Sequence, residues 1–234
     1  MISIDRVYQK VLAIANKEQR GYITPQEFNL FADQAQMEIF QQYFYDLDQF
    51  ERRLGSDGVE LVNDKIQIFK IPPFAIAHGN ALPSDTYKVD SVWIDWDNDE
   101  RSVVERIDGH GQGIDIKACP LLRTSLVPMY HIYNNNVYFM TSYDTGTTVQ
   151  NGHFRINLTR KPVTPNWTYY IDSATQSALY NSSAADLQDF ELHISEENNL
   201  VVKILLLAGI SMKDMGLAQL AGQKEANIKQ QEKQ

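Results

Sequence analysis

The sequence predicts an α+β protein: a helical base formed by N- and C-terminal helices, with an inserted antiparallel β-lobe. Three observations carry this. Apolar residues recur at helical spacing through the first 54 or so residues. At "GSDG" (55–58) the period changes to the alternation of strands, which lasts to about Pro165. Near Asp189 a helical pattern returns. Helical ends that bracket a run of strands give a base of residues 1–57 and 190–234 and a β-rich lobe of residues 58–189.

The elements follow in order. Ile4, Val7, Tyr8, Val11, Leu12 and Ala15 share one helical face, so residues 4–17 read as an amphipathic helix with Ser3 as its cap. Thr24-Pro25-Gln26-Glu27 is a helix start. Thr24 caps, Pro25 fits the first position and Glu27 completes a capping box. This second helix is expected to run to Leu54 with Gly55 as its stop, about 45 Å at 1.5 Å per residue. Phe28, Phe31, Ala35, Ile39, Tyr43, Leu47, Phe50 and Leu54 form one apolar stripe. Met37, Phe40 and Phe44 form a second, about 100° around the axis. A helix with two stripes has two surfaces to pack against. One alternative is burial within its own domain; the other gives Met37, Phe40 and Phe44 to a subunit interface.

"KIQIFKI" (65–71) alternates as a strand. "TYKVDSVWIDW" (86–96) alternates too, with Tyr87, Val89, Ser91, Trp93 and Asp95 on one face and Lys88, Asp90, Val92, Ile94 and Trp96 on the other. "DNDE" (97–100) makes a turn into "RSVVERI". "PMYHIY" and "VYFMTS" form a hairpin about Asn134–Asn136, and "GHFRINLTRKP" (152–162) is the last strand. Residues 71–83, 108–113 and 142–152 read as loops. After a polar link at 181–189, Ser195 caps a helix through Ala208 that Gly209 stops. That helix is apolar on every side. A further helix from Met212 carries Leu217, Leu220, Lys224 and Ile228 along one side and runs into a polar, Gln-rich tail.

Composition bounds the function. With 43% hydrophobic and 22% charged residues, 234 residues suffice for an ordinary globular core. The single cysteine, Cys119, allows no intrachain disulfide, and as the neighbour of Pro120 in an apolar segment it reads as a buried structural thiol. "MISIDRVYQK" places Asp5 and Arg6 where a signal peptide needs an apolar run, so secretion by that route is not expected. The greasiest stretch, Leu200–Ala208, falls short of the ~20 apolar residues of a membrane span. A net charge of −9 is wrong for a general nucleic-acid binder, which neutralises phosphates, but suits a surface that DNA slides past.

The chemical motifs fail on inspection. Asp95, Asp97 and Asp99 imitate a calcium loop, but Glu100 and Arg106 stand where it needs Gly and Glu. "GHGQG" lacks the strand–loop–helix setting and lysine of a phosphate loop. The histidines at 78, 110, 131, 153 and 193 lack zinc spacing, although His131 and His153 could face each other across strands. No nucleophile elbow or Ser-His-Asp set can be argued. "NLT", "NWT" and "NSS" read as chance matches to the glycosylation pattern. The expectation is therefore no catalysis, no cofactor and no metal.

Several stretches together resemble one family. "ALPSDTYKVDSVWID" resembles the "LP-x-D-y-x-x-v" start of the β-lobe in phage head–tail adaptor proteins, also called tail tubular or ring proteins. "INLTRKPVTPNWTY" resembles their "y-x-k-x-P-x-x-P" strand end. "DFELHISEENNLVVKILLLAGISMKD" resembles the helix that follows, as in short-tailed phages, crAss-like phages included. The likeness covers the order of elements along the whole chain.

The resemblance implies a virion structural protein without catalysis, located at the head–tail junction and in the host cytoplasm during assembly. It implies a homo-oligomeric ring, commonly of twelve subunits, that docks beneath the portal protein, extends the DNA channel and receives the next tail or ring protein. Genomic DNA would pass without specific binding, and no membrane is involved. The C-terminal segment would reach the portal, which makes Leu220, Lys224, Ile228 and Lys229 candidate docking residues. The apolar helix at Leu200–Ala208 would be walled in by its own base and a neighbouring subunit. The polar tail, with too little apolar area to order alone, would fold on its partner. The rival class is a monomeric β-domain that binds glycan or peptide through Tyr87, Trp93, Trp96, Tyr130, Tyr133 and Tyr138; an enzyme ranks last.

Overall fold

The computed structural model describes residues 1–17, 23–52, 57–95, 101–107, 129–140, 154–174 and 176–211. Its helices are α1 (Ile4–Lys17), α2 (Pro25–Arg52), α3 (Asp57–Gln67) and α4 (Glu197–Ser211). Its strands are β1 (Lys70–Ala75), β2 (Thr86–Asp95), β3 (Arg101–Val103), β4 (Glu105–Arg106), β5 (Met129–Tyr133), β6 (Asn136–Met140), β7 (Phe154–Arg160), β8 (Tyr169–Ile171) and β9 (Ala178–Tyr180). Helices plus antiparallel sheets make this an α+β protein.

The chain divides into two compact units, Met1–Ile68 with Pro162–Gln234, and Phe69–Lys161. The divisions fall inside the expected lobe at both ends. Two elements explain the difference. Residues 57–67 were expected to begin the strands, but they form α3, and Val62 and Ile66, four apart, are its buried face. The segment after Lys161 belongs with the helices because its polar groups are spent on them, as described below.

In the helical unit, α4 packs between α1 and α2. Leu200, Val201, Ile204, Leu205 and Ala208 are buried. Two helices of the same chain thus account for much of α4's apolar surface, and a neighbouring subunit is not required to enclose these residues. Lys203, also buried, reaches Glu38 on α2 at 3.2 Å. The helix start differs from the expected Ser195 cap. His193 is the cap: its Nδ1 accepts the Ser195 N–H, and a 3-10 turn (Ile194–Glu196) leads into α4. Gly209 lies inside the helix, which runs on to Ser211.

Two adjacent acids at this helix start tie it to two other helices. Glu196 pairs with Lys65 of α3, and Glu197 with Arg6 and Lys10 of α1. Carboxylates here also suit the positive end of the helix dipole. The Thr24–Glu27 capping box of α2 forms as expected. Glu27 accepts from the Thr24 N–H at 3.0 Å, and its own N–H donates to Thr24 Oγ1 at 3.3 Å. The Thr24 N–H, and then the Thr24 hydroxyl, which donates to the same carboxylate oxygen at 2.8 Å, hold the exposed Glu27 carboxyl below its ordinary range.

In the β unit, β1-β7-β2-β3 form an antiparallel sheet, and β4-β5-β6 a second sheet in which β4 and β5 run parallel. Its core holds Val89, Val92 and Ile94 of β2, Ile156 and Leu158 of β7, and Phe139 stacked on Phe154 at 3.7 Å. Strict alternation put Val89 on the face opposite Val92 and Ile94. The pairing of β2 with β7 shifts register between Val89 and Ser91, and this bulge brings all three to one side. The hairpin at Asn134–Asn135 forms with both residues at positive φ (49° and 64°), the conformation a two-residue primed turn demands.

Residues 71–83, read as a loop, supply β1 and a strap along β6. Strand β1 tolerates Pro72 and Pro73 because it is an edge strand and its register with β7 shifts between Ile71 and Phe74. The turn at 97–100, Cys119, His110, His153, the helix expected from Met212 and the tail candidates Leu220, Lys224, Ile228 and Lys229 lie outside the described residues.

Candidate subunit interface

Helix α2 is 28 residues long and its sides differ. Phe28, Ala32, Ala35, Gln36, Ile39, Phe40 and Tyr43 are buried. At about 100° per residue they span an arc of about 140°, from Ala35 to Phe40. This arc packs on α3 and α4. The three residues assigned to one stripe therefore divide. Phe40 is fully buried, 0% exposed, and cannot present its ring to another subunit; it meets Phe44 edge-on at 5.1 Å. Met37 and Phe44 are half-buried, at the margin of the arc.

Leu30, which periodicity had assigned to neither stripe, is 71% exposed and lies seven residues before Met37 and fourteen before Phe44. The outer apolar line of α2 is thus Leu30–Met37–Phe44, with Tyr45 beside it. Gln34 and Gln41 interrupt it, both exposed, so this is a mixed surface. The signal for Leu30 was its seven-residue spacing, which reading from Met37 onward overlooked.

The resemblance-bearing stretch "PVTPNWTY" has a structural role in the same unit. Gln36 of α2, fully buried, donates to Val163 O at 2.8 Å and accepts from Glu191 N at 3.0 Å. Glu191 in turn accepts from Val163 N at 2.8 Å. Asn29, two turns back on α2, grips Trp167 by both backbone groups: it accepts from Trp167 N at 2.9 Å and donates to Trp167 O at 3.2 Å. The Trp167 indole stacks on Tyr169 and Tyr180, meets Tyr8 at a 43° tilt and donates to Asp5 at 3.0 Å. Asp189 accepts the first N–H of α1, at Ile4, at 2.8 Å. Burial, then the Asp189 and Asp5 charges, push the Tyr180 hydroxyl above its ordinary range.

Strands β8 and β9, which no sequence pattern announced, carry Tyr169 and Tyr180 toward Trp167. Their other face pairs Tyr170 with Leu179, both exposed, as is Ile171. The outer line of α2, Leu61 of α3 and this hairpin face are among the apolar surfaces the helical unit leaves exposed; Met1, Ile14, Ile68, Val163 and Ile194 are others.

The six aromatics of the rival reading do not all face outward. Tyr130 is in the β core, and Tyr138 lies against His131 and His78. The Trp93 ring has the Arg101 guanidinium 6.0 Å above it, and Trp96 lies outside the described residues. Asp95, first residue of the calcium-like turn, accepts from Arg101 and Arg155 at 2.9 and 3.0 Å. Among the described residues no three His, Cys, Asp or Glu side chains are grouped to hold a metal, and no helix is long and apolar enough to cross a membrane. No protein-family model matches the chain, and comparison with curated proteins gives no match.

Proposed function

We propose that this protein is a subunit of a head–tail connector ring in a short-tailed bacteriophage, docking beneath the portal, extending the DNA channel and receiving the next tail component. The observation that carries the reading is the outer line of α2. Leu30, Met37 and Phe44 recur every seven residues on a helix whose opposite side is already packed within its own chain. Ring contacts are heterologous, so each subunit needs two different adhesive surfaces. The α2 line is one; Tyr170, Leu179 and Ile171 on the β8–β9 hairpin are a candidate for the other. The formal charge of −9 suits a channel wall that repels phosphates.

The C-terminal residues 223–234, with Ile228 as the one large apolar side chain among Gln, Lys, Glu and Asn, serve in this reading as a portal-docking segment. Electron microscopy of the chain co-expressed with the portal protein of the same phage tests the assignment. The expected image is a ring seated on the portal; portal particles without added density would overturn it. Deleting residues 223–234 is expected to weaken that docking and leave the thermal midpoint of the free subunit nearly unchanged.

A further inference from the structure

We propose that His78 is a proton-sensitive latch that closes the outer edge of β6. The outer edge of a strand presents unpaired N–H and C=O groups, and chains protect such edges by covering them. Here the cover is the 77–82 strap. Gly79 N–H donates to Val137 O at 2.7 Å, Val137 N–H to Asn80 O at 3.0 Å, and Leu82 N–H to Asn135 O at 2.8 Å. Asn135 Nδ2 adds a bond to Leu82 O at 3.0 Å.

Two residues along β6 from Val137, the next outward N–H is that of Phe139. Its acceptor is not a backbone carbonyl. It is the His78 imidazole, with Phe139 N–H donating to Nδ1 at 3.1 Å. The turn that aims the ring there closes from Asn80 N–H to Ala77 O at 3.2 Å, and Gly79 sits in it at φ +79°, a value that favours glycine.

The chemistry of that bond is one-sided. A neutral imidazole accepts only through its unprotonated nitrogen, so this bond fixes the proton on Nε2. An imidazolium has protons on both nitrogens and cannot accept. Protonation of His78 must therefore break the Phe139 bond or move the ring away, and the strap loses its hold at that end while its backbone bonds remain.

Among the described residues, the titratable groups beside His78 are Tyr138, edge-on at 5.5 Å, and beyond it His131, which is stacked on the same tyrosine at 5.1 Å. His131 Nδ1 is buried without a hydrogen-bond partner. None of the ion pairs among the described residues involves either histidine.

Amide exchange of the full-length chain, followed by NMR at pH about 7 and about 5 and corrected for the intrinsic rate, tests the latch. Phe139 is expected to lose about tenfold in protection on acidification, the worth of one hydrogen bond, and Val137 to lose less. His78→Gln supplies a carbonyl acceptor that does not titrate, so its Phe139 protection is expected to be equal at both pH values. Unchanged wild-type protection, or the same loss in His78→Gln, would overturn the proposal. Should His78→Gln not fold, the wild-type titration decides. The Phe139 amide shift and the His78 ring shifts must share one midpoint, and separate midpoints would overturn it.

Discussion

At Trp167 several interactions converge on one residue. Its ring packs against three tyrosines, two of them stacked, its indole N–H donates to Asp5, and both its backbone groups are held by Asn29. Trp167→Ala is expected to destabilise the chain by about 3–5 kcal/mol in denaturant melts, as deletion of a buried aromatic does. Trp167→Phe keeps most of the ring and loses the bond to Asp5, so it is expected to cost less, about 1–3 kcal/mol. Tyr180 beside it makes a pH prediction. Its folded pKa is raised, so its stabilisation is complete below tyrosine's ordinary value of about 10 and is lost as pH rises through the raised value. Stability should fall in that alkaline range, and Tyr180→Phe should make the fall shallower. None of this was legible beforehand. "PVTPNWTY" reads as a strand ending in prolines, and the hydrogen-bond partners of Trp167, Asn29 and Asp5, lie more than 130 residues away in the chain.

At the scale of elements, the legible features were those fixed by local chemistry. The Thr24–Glu27 box, the 4–17 helix and the Asn134–Asn135 turn all formed where local capping, periodicity and turn preferences placed them. The misread features depended on context. Helix α3 was hidden because "KIQIFKI" alternates while Val62 and Ile66 also fit a helix. The β2 bulge was hidden because alternation assumes one residue per step, and a bulge spends two. A second register shift in β2, between Thr86 and Lys88, gives a discriminating prediction. Alternation places Tyr87 and Val89 on one face, whereas only Val89 is buried. Val89→Asp should cost more than about 3 kcal/mol in thermal unfolding, and Tyr87→Asp no more than about 1 kcal/mol.

At the scale of the molecule, the two units each carry their own elements, and the helical one is assembled from both ends of the chain. That arrangement was legible because the change of period marks it, although the boundaries moved by about ten residues at one end and nearly thirty at the other. The exposed apolar line proposed as an interface was only half legible. Periodicity found the second line on α2 but took Phe40 into it and left Leu30 out, because a helical wheel cannot say how wide an arc the chain's own neighbours will cover. The most direct test of the proposed connector assignment is native mass spectrometry of the chain purified with the portal protein of the phage proposed to carry it, beside the Leu30→Glu/Met37→Glu variant. Because Leu30 is exposed and Met37 half-buried, the variant should keep its unfolding free energy within about 1 kcal/mol of the wild type. The account predicts that the wild type binds the portal as a closed ring of many copies, and that the variant leaves it as a folded monomer. A wild-type chain that stays monomeric with and without portal, or a variant that assembles as well as the wild type, would contradict it.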